Sequence, residues 1–299
     1  MAFDPSQEGR FTTRPEILPP GTYPDGGQGN GQAPPEPRGW YPPPDRAPRP
    51  AQRRHWAHAP ATYTLVGINC AVYLVTLALS RNVAGPTFQD NLSLGLLCNG
   101  GAVLQWGQWW RVITAIFTHF GWIHIGTNMW CLWNLGLLGE PLLGEFGLVA
   151  AYILTGVLGN LLSIAVNPGF PDHGGVLSAG ASGAVFGLAG VLLMLLRSPL
   201  LPIPAFELKK LRRSVWYFAL LNFVIDAGLW VAHTRIQVDN MAHLGGFLSG
   251  LALGVPLVPR IGAPRTTFVR RRAMAVGAMT FLVLLIAWGL RSYYAGAAG

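Results

Sequence analysis

About seven stretches of roughly twenty apolar residues recur along this chain, near 62–80, 112–138, 148–166, 180–196, 215–233, 240–258 and 273–290. Each matches the length a helix needs to cross a bilayer core. In lipid every backbone N–H and C=O must be paired within the protein, so runs of this length predict membrane-spanning helices. Composition agrees: 51% of residues are hydrophobic and 11% charged, too apolar for an ordinary soluble domain. The expected fold is therefore all-α and polytopic.

The net charge of +8 does not point to nucleic acid. The basic residues gather at the ends of apolar segments rather than on one recognition face. Arg53 and Arg54 precede the first span. Arg197, Lys209, Lys210, Arg212 and Arg213 separate the fourth from the fifth. Arg260, Arg265, Arg270, Arg271 and Arg272 separate the sixth from the seventh. If every span crosses once, these groups share one side, and the opposite connections hold few cations, such as Arg81, Arg111 and Arg235. The positive-inside rule then predicts a multi-pass protein of the cell membrane with a cytoplasmic N-terminus and an external C-terminus.

Residues 1–60 are rich in Pro, Gly, Arg and Gln and poor in large aliphatics, which predicts a disordered cytoplasmic tail. The expected organisation is this tail, a six-helix core over 61–258, and a basic loop with a seventh helix over 259–299. No cleavable signal peptide is evident. Cys70, Cys98 and Cys131 fit no metal spacing and read as packing residues. All but two of the 21 basic residues are Arg, which, with the abundance of Gly, Ala and Pro, hints at a GC-rich bacterial genome.

Within the spans two side chains stand out: Ser182 in Gly180-Ala181-Ser182-Gly183, and His243 in Ala242-His243-Leu244-Gly245-Gly246. A polar group in hydrocarbon is expensive and marks a functional site by default. A serine with a histidine in reach is a nucleophile with its base. Taken singly, each has an ordinary structural explanation, since a serine can bond a carbonyl one turn back. Taken together they carry more, because both fall near the outward start of their spans. Each also adjoins a small-residue stripe, Gly183 and Gly187 on one span and Gly246, Gly250 and Gly254 on the other. Such stripes let helices approach closely, and if they face each other the serine and histidine meet at their top.

Acyl transfer also needs donors aimed at a developing oxyanion. His124 and Asn128, four residues apart, share a face of the second span, and with the Ser182 N–H they form a candidate hole. His119, five residues earlier and about 140° round a continuous helix, is expected to support the neighbouring loop. Asp239, four residues before His243, reads as an interfacial charge rather than a third catalytic member, and Asp226 has no evident link to the serine. Zinc chemistry would want His-Glu-x2-His, and an aspartyl site two facing acids; neither pattern occurs.

At these residues the chain resembles the rhomboid intramembrane serine proteases. The matches run in order along the membrane region: Trp110-Arg111, then His119-x4-His124-x3-Asn128, Gly136-x3-Glu140-x3-Gly144, Gly180-Ala181-Ser182-Gly183 and Ala242-His243-x2-Gly246-x3-Gly250. The resemblance implies a six-helix core whose Ser182–His243 dyad is open to external water and cleaves single-span membrane proteins near the outer face. His124 and Asn128 would serve as oxyanion donors, without metal or cofactor. His119, Trp110, Arg111, Glu140, Gly180, Gly183, Gly246 and Gly250 would support the site. Phe186 stands where some relatives carry a Tyr that stacks on the histidine. The seventh span fits a variant with an added helix. The partners implied are transmembrane substrates and the lipid bilayer. The alternatives are a proteolytically silent binder or escort of membrane proteins, and a transporter, for which no inverted repeat is visible.

Overall fold

A computed structural model describes residues 58–80, 82, 85–169, 175–198, 200–201, 204–231, 239–258 and 265–297. The tail assigned to 1–60, apart from its last three residues, lies outside them, as do Arg235, Arg260 and the side chains of Asn222 and Asp226. Ten α-helices are described: α1 (Pro60–Ser80), α2 (Phe88–Ser93), α3 (Gly100–Leu104), α4 (Arg111–Thr114), α5 (Trp122–Leu143), α6 (Glu145–Val166), α7 (Ser182–Leu195), α8 (Ala205–Val231), α9 (Asn240–Gly254) and α10 (Arg265–Ala297). Among the described residues, β pairing is confined to one isolated bridge, Cys98 to Ser178. This is an all-α polytopic membrane protein.

The seven expected spans fall on α1 and α5 to α10, with one substantial shift. The apolar run from 112 is broken: α4 and a 3-10 turn over Ala115–Phe117 are followed by an extended Thr118 and by Gly121 at φ 72°, after which α5 begins at Trp122. The positive φ at Gly121 suits glycine and ends the preceding backbone direction. An apolar window does not register that break, because the residues before it are apolar apart from Thr114, Thr118 and His119.

Among the described residues, length and composition alone suffice for three crossings, α1, α6 and the 266–295 stretch of α10. The helices carrying the motifs fall short. Histidine and asparagines dilute α5, while α7 and α9 have only 14 and 15 residues. Helix α7 is nonetheless apolar all round, and Val185, Leu188, Ala189, Val191 and Leu192 on its successive faces are at most 3% exposed. That makes it the central helix of the bundle.

Backbone contact at glycine defines how α9 lies against α7. A Cβ on Gly246 would overlap the Gly183 carbonyl oxygen, and one on Gly250 the Gly187 carbonyl oxygen. On its other side α9 meets α6, where a Cβ on Gly159 would sit 2.5 Å from the Ala242 oxygen. The C-terminal end of α5 is tied to the start of α1: Glu140 accepts from the Ala61 and Thr62 N–H groups at 3.0 and 2.8 Å and from the Thr62 hydroxyl at 2.6 Å. The carboxylate thereby satisfies N–H groups that no helix turn precedes. Helix α10 docks by Arg272, which donates to the Leu143 carbonyl at the end of α5 and lies over the Phe146 ring.

Candidate active site

Ser182 is the first residue of α7, so a loop rather than a preceding helical turn sets its position. That loop is held at three points. Ser178 pairs with Cys98 in both directions, the Gly180 N–H donates to the Ala115 oxygen at 2.9 Å, and the Ala181 N–H donates to His119 Nε2 at 3.2 Å. Gly180 adopts φ 113°, and a Cβ there would meet His124 Nε2 at 2.7 Å. Conformation and space both require glycine.

His243, four residues into α9, is 6% exposed, and its Nε2 lies 2.7 Å from Ser182 Oγ. The Phe186 ring, one turn along α7, stacks on the imidazole at 4.6 Å between centroids and 29° between planes. Glycine contact holds the two backbones close enough for side chains 61 residues apart in sequence to form this bond. A hydroxyl within hydrogen-bond distance of a ring nitrogen is the geometry of a nucleophile with its general base.

His124 reaches the same space from α5, and Asn128 follows it one turn along that helix. His124 Nε2 and Ser182 Oγ both lie within 4 Å of the point a Gly180 Cβ would occupy. The His124 ring packs against Phe120, with centroids 4.4 Å apart. Asn128 is 8% exposed and spends one amide N–H on the His124 carbonyl at 2.9 Å, leaving the other.

His119 lies outside α5, so the angle expected from a continuous helix does not apply: its height is set by the turn at Gly121. Trp110 and Arg111 stitch the first loop together. Trp110 Nε1 donates to the Gly95 oxygen at 3.2 Å, and Arg111 donates to the Leu97 oxygen at 2.9 Å and to Gln108 at 2.6 Å. Asp239 does not run to the imidazole through the bonds it makes: Oδ1 accepts from the Ala242 N–H and Oδ2 from the Ser163 hydroxyl.

Reading the sequence missed the part of α6. Asn160 donates to the Val112 oxygen at 2.9 Å and accepts from the Ser178 hydroxyl at 3.0 Å. Tyr152 OH donates to the Ile116 oxygen at 3.3 Å and takes a bond from Asn69. The available signal was a polar residue inside a long apolar run, next to Gly156 and Gly159.

Fold and site together define a polytopic helical membrane protein with a serine–histidine pair in contact where two glycine-packed helices meet. A family model described as the Rhomboid domain matches residues 106–260. The chain is 30% identical over 220 residues to Rhomboid protease GluP of Bacillus subtilis (strain 168), covering 72% of this chain and 39% of that protein. It is 31% identical over 176 residues to RHOMBOID-like protein 5 of Arabidopsis thaliana, 59% of this chain and 52% of that one. It is 29% identical over 208 residues to Rhomboid-like protease 2 of Toxoplasma gondii, 69% and 68% respectively. The chain belongs to the rhomboid family. It spans 39% and 52% of the lengths of the first two of these relatives.

Proposed function

We propose that this protein is an intramembrane serine endopeptidase that cleaves single-span membrane proteins near the outer membrane face. The observation that carries the reading is the 2.7 Å approach of His243 Nε2 to Ser182 Oγ inside an apolar bundle. Membership of a family whose relatives include proteins named as proteases supports it.

In this reading His243 Nε2 takes the Ser182 proton as Oγ attacks a peptide carbonyl. The tetrahedral oxyanion forms beside the first turn of α7, where the Ser182 N–H has no intrahelical acceptor and the helix dipole favours negative charge. His124 Nε2 and the second N–H of Asn128 supply further donors. The imidazolium then protonates the leaving amine, and water, activated by the same histidine, releases the acyl group. Phe186 keeps the ring in plane. Gly180 and Gly183 leave room for the hole, and Gly246 and Gly250 hold the base helix close.

Helix α7 rises about 21 Å at 1.5 Å per residue, against roughly 30 Å of hydrocarbon. With its far end at the inner boundary, Ser182 lies below the outer surface, and water must descend to it. The loop charges support a cytoplasmic N-terminus and an external C-terminus, and in this reading the catalytic core is 61–258 and the membrane that of a bacterial cell. A substrate helix must unwind to expose a carbonyl, so Gly or Pro near its outer end favours cleavage.

The test is cleavage of a single-span reporter by purified protein in liposomes, comparing wild type with Ser182→Ala and His243→Ala. Loss in both folded variants is expected. A wild type that neither cleaves nor reacts with a fluorophosphonate at Ser182 would replace this reading with the escort of membrane proteins.

A further inference from the structure

Close packing at glycine sets how near two helices lie, and a side-chain hydrogen bond across the interface adds a directional hold on their relative height. Helix α9 is flanked by glycine contacts on both sides: Gly246 and Gly250 against α7, and Gly159 and Gly245 against α6, where a Cβ on Gly245 would come 3.0 Å from the Gly159 Cα. The Ser182–His243 bond is sensitive to axial displacement, so a directional bond at the start of α9 bears directly on it.

Asp239 occupies the place where such a hold would act. It is the N-cap of α9: Oδ1 accepts from the Ala242 N–H at 3.0 Å, and its carbonyl accepts from the His243 N–H at 3.2 Å. Its second oxygen, Oδ2, accepts from Ser163 Oγ on α6 at 2.5 Å. One carboxylate thus joins the first turn of the base helix to a neighbouring helix. Three residues before Ser163, Asn160 accepts from the hydroxyl of Ser178, four residues ahead of the nucleophile. The nucleophile loop and the base helix are therefore both referred to one stretch of α6.

We propose that Asp239 is a positioning residue, which through Ser163 sets the axial height of His243 against Ser182, with α6 as the common reference. The inference rests on the protease reading above and assigns Asp239 a mechanical task rather than the electrostatic one of a triad acid. Three substitutions separate the two. Asp239→Asn keeps the cap and can still bond Ser163, donating through Nδ2, while the charge is removed. Ser163→Ala keeps the cap and the charge but removes the link to α6. Asp239→Ala removes both bonds.

The experiment measures kcat and KM on the reporter, the pH–rate profile, the fluorophosphonate labelling rate of Ser182 and the thermal midpoint of each variant. With misplacement of about 1 Å worth on the order of 10²-fold in rate, Ser163→Ala is expected to lower kcat about tenfold at unchanged KM. Asp239→Ala should lose more, and adding Ser163→Ala to it should change little, as for two partners of one bond. Asp239→Asn should stay within about threefold of wild type with the acid limb of its profile unmoved, a rescue that lost stability alone would not produce. Asp239→Asn as slow as Asp239→Ala, with a shifted acid limb, would overturn the proposal in favour of a charge acting on His243. Ser163→Ala at the wild-type rate would overturn it outright. A wild type that neither cleaves nor labels takes the protease reading down first, whereas an active wild type with all three variants alike removes only the clamp.

Discussion

Gly159→Ala tests the packing logic of the site most directly, because this residue is neither a motif position nor in contact with Ser182. The added Cβ would lie 2.5 Å from the Ala242 oxygen and 3.4 Å from the Gly246 nitrogen. Ordinary van der Waals contact begins at 3.4 Å, so α9 must retreat by about 0.9 Å beside His243. It has no room to do so as a rigid body, because Gly246 already rests on the Gly183 carbonyl on its other side. The helix must tilt, rotate or slide, and the 2.7 Å Ser182–His243 bond is lost or bent. Overpacking of this kind costs roughly 1–3 kcal/mol of stability, and misplacing a reacting pair by about 1 Å costs on the order of 10²-fold in rate. Reporter cleavage and thermal unfolding in the same detergent measure both. Gly67→Ala, whose Cβ would meet nothing within 4 Å, serves as the control and should leave kcat unchanged. A Gly159→Ala enzyme that folds and retains wild-type kcat would refute the reasoning.

Glu140→Ala strands two N–H groups at the start of α1 and the Thr62 hydroxyl, and should lower unfolding stability by about 2–4 kcal/mol, read by thermal midpoint. Phe186→Ala removes the ring stacked on His243. An aromatic pair is worth about 0.5–1.5 kcal/mol, so kcat should fall roughly 2- to 10-fold, while Phe186→Tyr stays near wild type; the reverse order would show that stacking is irrelevant. Arg272→Ala releases the Leu143 carbonyl and the Phe146 ring. It should speed proteolytic removal of α10 while changing kcat only about twofold or less, since these contacts lie at the end of α5 away from His124.

Much of the fold was legible because crossing a bilayer is a property of single segments. Each apolar window near 62–80, 148–166 and 240–258 overlaps a helix. The glycine stripes were legible too, since Gly183, Gly187, Gly246 and Gly250 recur at helical spacing and do face each other. The start of α5 was not, because a turn at Gly121 leaves no trace in hydropathy. Asp239 was ambiguous for a related reason: nothing near it in the chain names Ser163, which lies 76 residues away.

The sequence by itself determined an all-helical membrane protein and singled out Ser182 and His243 as its exceptional polar residues, since local composition and spacing carry both facts. Tertiary structure alone decided that Ser182 Oγ meets His243 Nε2, that His119 holds the Ala181 N–H, and that α6 ties the nucleophile loop to the base helix. Those outcomes depend on which backbone meets which glycine across the bundle, a pairing that exists only after distant segments have packed.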